Sequence, residues 1–323
     1  TLSRESYNNK RWLTPLVIRA KAYAPGLLKS GTTRWAGLVA NLDILPTLSR
    51  MAGLEVAGAY AGRMMESVAG ADLTALDDLH RRINWILVQQ RGLIDWYLGI
   101  ISLGWIIAAV LWFLEGKYWA RQCLFWVGCA PLVLIMLPLL PGAIWTPWAF
   151  AVLTGIVGLI GFRLVNLRPQ INVYMVLAGV LWLVLTLDQI TGWNLIRFSG
   201  LGYSAASGSR YYGIGNEFMG IYLVAALISA GLIQGRWGKR WPGLSVLAVT
   251  IFILGWPRFG INFGGTLAAV IGFLYYGICL LGINLRDRRI GVIAVVGTIL
   301  ALGAGLWDAS RPPEVQTHVG IFF

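Results

Sequence analysis

Charged residues are scarce in this sequence. Only 12% of its 323 residues are Asp, Glu, Lys or Arg, whereas 57% are hydrophobic. Ordinary soluble domains carry about a quarter of charged residues. The mean hydropathy of +0.69 points the same way. An ordinary soluble domain is therefore excluded, and the composition predicts a membrane protein that crosses the bilayer several times.

Cysteine and histidine are also rare. The three cysteines, Cys123, Cys129 and Cys279, all lie inside apolar runs. Their spacing fits neither a disulfide framework nor a metal site, so we interpret them as small buried hydrophobic residues. His80 stands beside two arginines in a polar stretch with helical spacing. It is interpreted as a solvated helix residue rather than a ligand.

An initiating methionine and a polar tail are both missing. The sequence starts at Thr1 and stops after Gly320-Ile-Phe-Phe. We interpret it as a piece of a longer protein, in which no signal peptide is to be expected.

Basic residues outnumber acidic ones, giving a net charge of +12. Beyond residue 115 most of them stand in short loops between apolar runs. That distribution is typical of loops facing anionic lipid, so the predicted partner is the lipid bilayer and not a nucleic acid.

Eight apolar runs of about 16 to 22 residues predict eight transmembrane helices. The runs cover residues 93–114, 122–140, 145–162, 171–190, 217–234, 241–256, 264–283 and 290–306. An amphipathic connector is predicted at 76–92, and a tail at 307–323. Residues 1–75 are more polar, with a candidate strand at 13–19, and predict part of an α/β domain. The predicted fold class is a mainly α, polytopic membrane protein preceded by this partial domain.

The loops between these runs alternate in basic content. The first, third, fifth and seventh carry ten Lys and Arg residues, whereas the even loops carry only Arg197, Arg210 and Arg258. The positive-inside rule then predicts cytoplasmic odd loops. Both ends of the chain, the fourth loop and the sixth loop are consequently expected on one extracytoplasmic face.

The fourth loop carries the first candidate site. Its glycine-rich stretch from Gly208 to Gly220 contains Arg210, Asn216 and Glu217 at the start of an apolar helix. One interpretation is a helix capped by Asn216, with Glu217 at the positive end of the helix dipole. The other is a polar pocket at the membrane surface. The glycine spacing does not fit a dinucleotide fingerprint.

The sixth loop and the tail repeat this chemistry. Arg258 and Asn262 stand among glycines where the next helix opens, which suits an anionic group or close helix packing. The tail adds Asp308, Arg311 and His318, and His318 is a candidate acid or base near neutral pH. Asp188, at the end of the fourth apolar run, is a candidate ion-pair partner for one of these arginines.

Two short motifs carry a resemblance to a known superfamily. Leu13-Thr-Pro-Leu-Val-Ile and Asp43-Ile-Leu-Pro-Thr-Leu, within about the first 55 residues, resemble the C-terminal end of an alkaline-phosphatase or sulfatase domain. The resemblance implies that the nucleophile and most metal ligands lie upstream. No cofactor is then expected in this piece, although a divalent metal fits the upstream part. Asp43 is expected to cap its helix rather than bind metal.

Three further motifs extend the resemblance over nearly the whole chain. These are Gly208-Ser-Arg-Tyr-Tyr-Gly-Ile-Gly-Asn-Glu, Phe259-Gly-Ile-Asn-Phe-Gly-Gly-Thr, and the stretch from Asp308 to Gly320. Together they resemble a family of bacterial envelope proteins that join a phosphatase-superfamily domain to a multi-helix module.

The resemblance implies a bacterial inner-membrane protein whose extracytoplasmic domain acts on or binds a phosphorylated, lipid-linked envelope substrate. Under that hypothesis the anionic group is held by two arginines, oriented by three polar residues and closed in by the tail. The residues in that order are Arg210 and Arg258; Asn216, Glu217 and Asn262; and Asp308, Arg311 and His318. Two alternatives stay open: a transporter or flippase of an anionic solute or lipid, and a non-catalytic membrane anchor that clasps the soluble domain.

Overall fold

The computed structural model describes residues 13–54, 62–70, 73–167, 172–206, 208, 210–281 and 289–312. Within them the chain is mainly helical. A small N-terminal unit precedes a bundle of long apolar helices, and the unit packs onto one end of that bundle.

The N-terminal unit contains two strands and one helix. Strands β1 (Gly26–Ser30) and β2 (Met65–Ala69) pair antiparallel, with Gly26 opposite Ala69. Helix α1 (Ile44–Met51) lies between them in sequence. The strand predicted at 13–19 is wrong, because those residues form no strand. A lone strand has no partner for its backbone groups, and Pro15 has no N–H to offer one.

Asp43 holds this unit together. Its carboxylate is fully buried and accepts four hydrogen bonds. The donors are Ser30 Oγ at 2.6 Å, Thr32 Oγ1 at 2.5 Å, Ala40 N at 2.9 Å and Arg63 N at 2.9 Å. The expected helix cap is therefore wrong in its geometry. Asp43 precedes α1, but its side chain makes no hydrogen bond to the first amides of the helix. It connects the end of β1, the loop after β1 and the segment just before β2.

Helix α1 is oriented with its polar side inward. Thr47 and Ser49 are buried, and Thr47 Oγ1 accepts a hydrogen bond from Met65 N at 3.0 Å. The apolar side chains of α1 are exposed instead, from 40% for Ile44 to 57% for Leu45. Two strands and one helix thus leave an apolar face uncovered within the described part of the chain.

The predicted connector and the first apolar run form one helix, α2 (Leu73–Phe113), of 41 residues. At 1.5 Å per residue such a helix is about 60 Å long, roughly twice the hydrocarbon thickness of a bilayer. Its first part therefore extends beyond the membrane, where it meets the N-terminal unit.

Each remaining apolar run also lies on a helix. In chain order these are α3 (Lys117–Met136), α4 (Pro147–Leu167), α5 (Val173–Thr191), α6 (Asn216–Trp237), α7 (Arg240–Gly255), α8 (Phe263–Leu281) and α9 (Arg289–Ala309).

The chain is a helical membrane protein. Among the described residues, five helices, α2 to α6, are long and apolar enough to cross a bilayer, and two shorter apolar helices follow on α7 and α8. The count of eight crossings stays a prediction.

Two of the three clusters of buried side chains in the bundle are large. One lies among α2, α3 and α4 and includes Leu93, Leu134 and Phe150. It also takes in Trp35 and Leu38 from the N-terminal unit. The other lies mainly among α5 to α8 and includes Phe218 and Tyr222. The first cluster is therefore shared between the bundle and the unit that docks on it.

The buried carboxylate of Asp43 gives a testable prediction. Asp43→Ala leaves four donors, two of them buried and two half-buried, without their acceptor, at about 1–3 kcal/mol for each buried one that finds no substitute. We expect hydrogen exchange at the Ala40 and Arg63 amides to accelerate at least roughly 100-fold. The matched control is Asp77→Asn, whose side chain is 66% exposed on α2 and should shift stability by less than about 0.5 kcal/mol. Unchanged exchange in Asp43→Ala would contradict the role assigned to this carboxylate.

Candidate functional site: a junction of two loops and the N-terminal unit

The fourth loop (192–215) and the sixth loop (256–262) are bonded to each other. Ile214 N donates to Gly260 O at 2.8 Å, and Trp193 Nε1 donates to Phe259 O at 2.7 Å. These two loops therefore meet at one end of the bundle, as their charge pattern predicted. We call residues 210–215 and 256–262 the loop junction.

Asn262 is the polar centre of the loop junction. Only 4% of it is exposed. Its Nδ2 donates to Ile214 O at 3.0 Å and to Asn216 Oδ1 at 3.2 Å. Its Oδ1 accepts from Gly265 N at 2.7 Å, which caps the start of α8. The side-chain amide of Asn262 therefore has its hydrogen-bond partners within the protein.

Asn216 does not cap α6. The helix starts at Asn216, its N-cap is Gly215, and no side chain bonds the first amides. The side-chain oxygen of Asn216 serves Asn262 instead. Glu217 does lie in the first turn, as predicted, where a carboxylate interacts favourably with the helix dipole. Both side chains are exposed.

The two arginines predicted to hold one anion point differently. Arg210 is half-buried, and its Nη1 donates to Ile214 O at 2.5 Å. Burial lowers the pKa of Arg210, while Tyr203, Tyr212 and Glu217 oppose that effect. Arg258 is exposed on the sixth loop. The side chain that reaches into the sixth loop is Arg34, whose Nη1 donates to Pro257 O at 3.2 Å.

The N-terminal unit docks on this junction through Trp35. The indole is 4% exposed, and its Nε1 donates to Tyr211 O at 2.6 Å. Arg34 and Trp35 are not among the predicted site residues, because their partners lie 223 and 176 residues away in the sequence. The available signal was weak: an Arg-Trp pair in a glycine-rich stretch.

Five side chains around the docking point are linked by cation–π and ring–ring contacts. The Arg197 guanidinium lies 4.3 Å from the Trp35 ring centre and 5.4 Å from that of Trp193. The Trp193 and Tyr212 rings lie 6.0 Å apart, and Arg34 lies 4.0 Å over Tyr212. Since Arg34 and Trp35 are neighbours in sequence, the set closes on itself. We call it the stacked ring.

Backbone strain gathers at the same place. Among the described residues other than glycine, positive φ occurs at Arg34 (60°), Trp193 (65°), Ile261 (48°) and Glu115 (61°). The first three belong to the stacked ring or the loop junction. A left-handed conformation costs roughly 1–2 kcal/mol for an L-residue with a side chain. It persists where surrounding contacts fix it, and such positions are frequent at functional sites.

The end of α9 reaches the same region. The Trp307 and Trp256 rings lie 5.9 Å apart, and Asp308 forms an ion pair with Arg311 at 2.9 Å. The charges of Arg311 and Asp308 act on Arg34, whose pKa is lowered chiefly by burial. Two of the three predicted tail residues are therefore close to the junction. His318 lies outside the described residues.

Asp188 supports the loop rather than one of the predicted arginines. Its carboxylate accepts from Leu195 N at 2.7 Å and Ile196 N at 3.1 Å. Its charge acts on Arg197, opposing the burial that lowers the pKa of that guanidinium to about 10. Arg197 therefore remains positively charged at neutral pH.

No group of three or more His, Cys, Asp or Glu side chains that could hold a metal occurs in the parts of the chain that the structure describes. A shallow apolar groove of about 380 Å³ lies between α5 and α6, lined by Asn172, Tyr174 and Leu227, among others. It is at the opposite end of these helices from the loop junction.

Comparison with known proteins gives no relative. No protein-family model, curated protein or solved structure matches the chain.

The central position of Asn262 gives a second prediction. Asn262→Ala removes three hydrogen bonds at a buried position and leaves Gly265 N unpaired. We expect a loss of roughly 2–4 kcal/mol of stability, measured as a lower thermal unfolding midpoint in detergent. The matched control is Asn194→Ala in the fourth loop, because Asn194 is exposed and makes one side-chain hydrogen bond at 3.2 Å. Equal midpoints for the two variants would contradict the central role of Asn262.

Proposed function

We propose that this chain is the membrane module of a bacterial inner-membrane protein, and that the loop junction clasps an extracytoplasmic domain against the helix bundle. That domain is of the alkaline-phosphatase or sulfatase type. The clasp holds it at the membrane surface, where it acts on or binds a phosphorylated, lipid-linked envelope substrate.

The observation that carries the proposal is the docking of Trp35. A tryptophan of the N-terminal unit is 4% exposed, donates to the Tyr211 carbonyl and stacks on Arg197 of the fourth loop. Tryptophan and arginine are the residue types that dominate the energy of protein interfaces. An interface of this kind favours a unit held at a fixed position on the bundle over a unit connected to it only by a flexible linker.

The uncovered side of α1 supports a larger domain around the unit. Leu45 and Leu48 are 57% and 55% exposed, and Leu42, next to α1, is 55% exposed. A two-stranded sheet is marginal alone and gains stability from further strands or a covering layer. An upstream soluble domain that continues the unit would cover this face. Any divalent metal of the proposed reaction belongs to that upstream part.

The internal bonding of the loops supports a clasp more than a transport path. Arg210 and Asn262 both donate a hydrogen bond to the Ile214 carbonyl. The two glycine-rich helix starts contact each other at one end of the bundle. Transporters of the broken-helix type instead bring such segments together near the middle of the membrane.

The docking contact gives a third prediction, tested on the full-length protein in lipid nanodiscs. Trp35→Ala removes the indole hydrogen bond and one face of the Arg197 stack. Removing a buried aromatic anchor costs roughly 2–4 kcal/mol at an interface. We expect hydrogen exchange to rise at least tenfold in residues 210–215, while the amides of the β1–β2 pair keep their protection. That combination means release of the unit without its unfolding.

The matched control is Trp237→Ala, a tryptophan 58% exposed at the end of α6, which should leave exchange at 210–215 unchanged. Full protection of residues 210–215 in Trp35→Ala would contradict the clasp. The enzymatic part is assayed separately, as metal-dependent release of phosphate from a phosphomonoester lipid in the same nanodiscs. No release by the full-length protein would refute the catalytic role and leave the clasp standing.

A further inference from the structure

The groove between α5 and α6 is mostly apolar and has the volume of a ligand site. It measures about 380 Å³, and small-molecule sites commonly enclose about 300–1,000 Å³. Six residues line it: Leu227, Ile228, Gly231 and Leu232 on α6, and Asn172 and Tyr174 at the start of α5. Because α5 starts where α6 ends, the groove lies near the end of the bundle opposite the loop junction.

Both walls of the groove are held by contacts within the protein. On α5, the Tyr174 hydroxyl donates to Arg121 O at 2.6 Å, and its ring packs edge-on against Phe125 with 5.7 Å between the ring centres. On α6, a Cβ at Gly231 would lie 2.5 Å from Tyr276 Oη, so α6 and α8 approach closely there. The groove is therefore preformed, as ligand sites usually are.

Arg236 continues the α6 wall of the groove beyond its apolar part. It lies four residues after Leu232, and Leu232 lies four residues after Ile228. Side chains four apart on a helix share one face, with Cβ atoms about 5–6 Å apart. Arg236 is exposed in the last turn of α6. A cation is thus placed about one helical turn from the groove, on the same face of the helix.

This end of the bundle carries an excess of positive charge, and we call it the basic end. Six exposed basic residues lie there: Lys117, Arg121, Arg163, Arg236, Lys239 and Arg240. Within the described ranges none of the six forms an ion pair, and the acidic residue described at this end is Glu115. Basic residues beside pockets between transmembrane helices are typical of sites for anionic lipid headgroups.

We propose that the groove binds one anionic phospholipid, with an acyl chain along Leu227, Gly231 and Leu232 and the headgroup phosphate beside Arg236. The apolar groove matches the chain, and the basic end matches the phosphate. A guanidinium donates charge-assisted hydrogen bonds to phosphate oxygens. Lys239 and Arg240 follow in the turn to α7 and add attraction for the same headgroup. The site is independent of the clasp, because it lies at the other end of the helices.

The size and the charge of the site favour this occupant over two others. One turn of an α-helix, about 5.4 Å long and about 10 Å wide, fills roughly 420 Å³. The groove would therefore hold less than one turn of a further helix, which is too little to fix a partner helix. A neutral phospholipid also offers an acyl chain and a phosphate, but its headgroup carries a cation that the basic end repels.

The test measures lipid binding to the full-length protein in detergent by native mass spectrometry. Phosphatidylglycerol is the anionic probe, and phosphatidylcholine with the same acyl chains is the neutral one. We expect the first phosphatidylglycerol to bind at least about fivefold more tightly than the first phosphatidylcholine, the effect of one basic residue on an anionic headgroup.

Two charge variants locate the headgroup. Arg236→Gln should weaken binding of the first phosphatidylglycerol about fivefold. Asn172→Asp should weaken it by a similar factor, because it places a negative charge at the groove. An aspartate oxygen can still accept from Tyr174 N and Met175 N as the cap of α5, so the helix start is kept. Neither variant should change phosphatidylcholine binding more than about twofold, and Arg163→Gln, the matched control on α4, should change neither lipid more than that.

A third variant fills the groove itself. Leu232→Trp should weaken binding of both lipids at least about fivefold, because the indole takes the space of the chain. Its matched control is Leu159→Trp, at a position on α4 that is 50% exposed and does not line the groove. Where Leu232→Trp loses its cooperative thermal unfolding and so fails to fold, the comparison of Arg236→Gln and Asn172→Asp with Arg163→Gln decides.

Equal affinities of the two lipids for the natural protein would overturn the inference. An equal loss in Arg163→Gln and Arg236→Gln would also overturn it, because general surface charge then explains the binding. Unchanged lipid binding in folded Leu232→Trp would place the lipid elsewhere and overturn the site. Copurification of a second polypeptide that excludes the lipid, and that is lost in Leu232→Trp, would identify a partner helix as the occupant instead.

Discussion

The arrangement at the junction depends on the stack of the Arg197 guanidinium between Trp35 and Trp193. A guanidinium is weakly hydrated and planar, so aromatic faces replace much of its water at small cost. Arg197 is positioned by the short turn after α5, and Asp188 fixes that turn through the Leu195 and Ile196 amides. The docked unit therefore depends on a carboxylate that never touches it. The same stack positions the Trp35 indole so that its Nε1 donates to the Tyr211 carbonyl.

The glycines of the two loops are explained by close backbone approach. A Cβ on Gly213 would lie 2.4 Å from Gly260 O, and Gly213 has a φ of 76°. A Cβ on Gly260 would lie 2.7 Å from Ile253 O. Only glycine permits the left-handed backbone at Gly213 and the close contacts at both positions. The loops can then satisfy each other's amides and carbonyls, which irregular backbone at a membrane-spanning bundle requires. The many glycines in these loops are therefore explained by the pairing of the two loops. That pairing does not by itself specify a ligand.

Sequence reasoning succeeded where the signal is local and failed where partners are distant. Hydropathy runs located α3 to α9 to within about five residues, but the connector and the first run, predicted as separate elements, form the single helix α2. Basic content predicted that the fourth and sixth loops share one end. Only part of the role of Asn262 could be predicted from sequence. Its hydrogen bond with Gly265 N at the start of α8 is local, whereas its hydrogen bond to Ile214 O spans 48 residues. Arg34 and Trp35 carried no periodic signal. The prediction that Asp43 caps its helix was wrong because its carboxylate accepts hydrogen bonds from Ser30, Thr32 and Arg63, and none from the amides of α1.

The packing of the N-terminal unit differs between its two sides. Helix α1 places Thr47 and Ser49 inside and leaves Leu45 and Leu48 outside, the reverse of a helix that closes a core by itself. The unit's interior is held by the Asp43 hydrogen bonds and by Trp35 and Leu38, which pack into the α2–α3 core of the bundle. Part of its stability therefore comes from the bundle, while the apolar face of α1 stays uncovered within the described part of the chain.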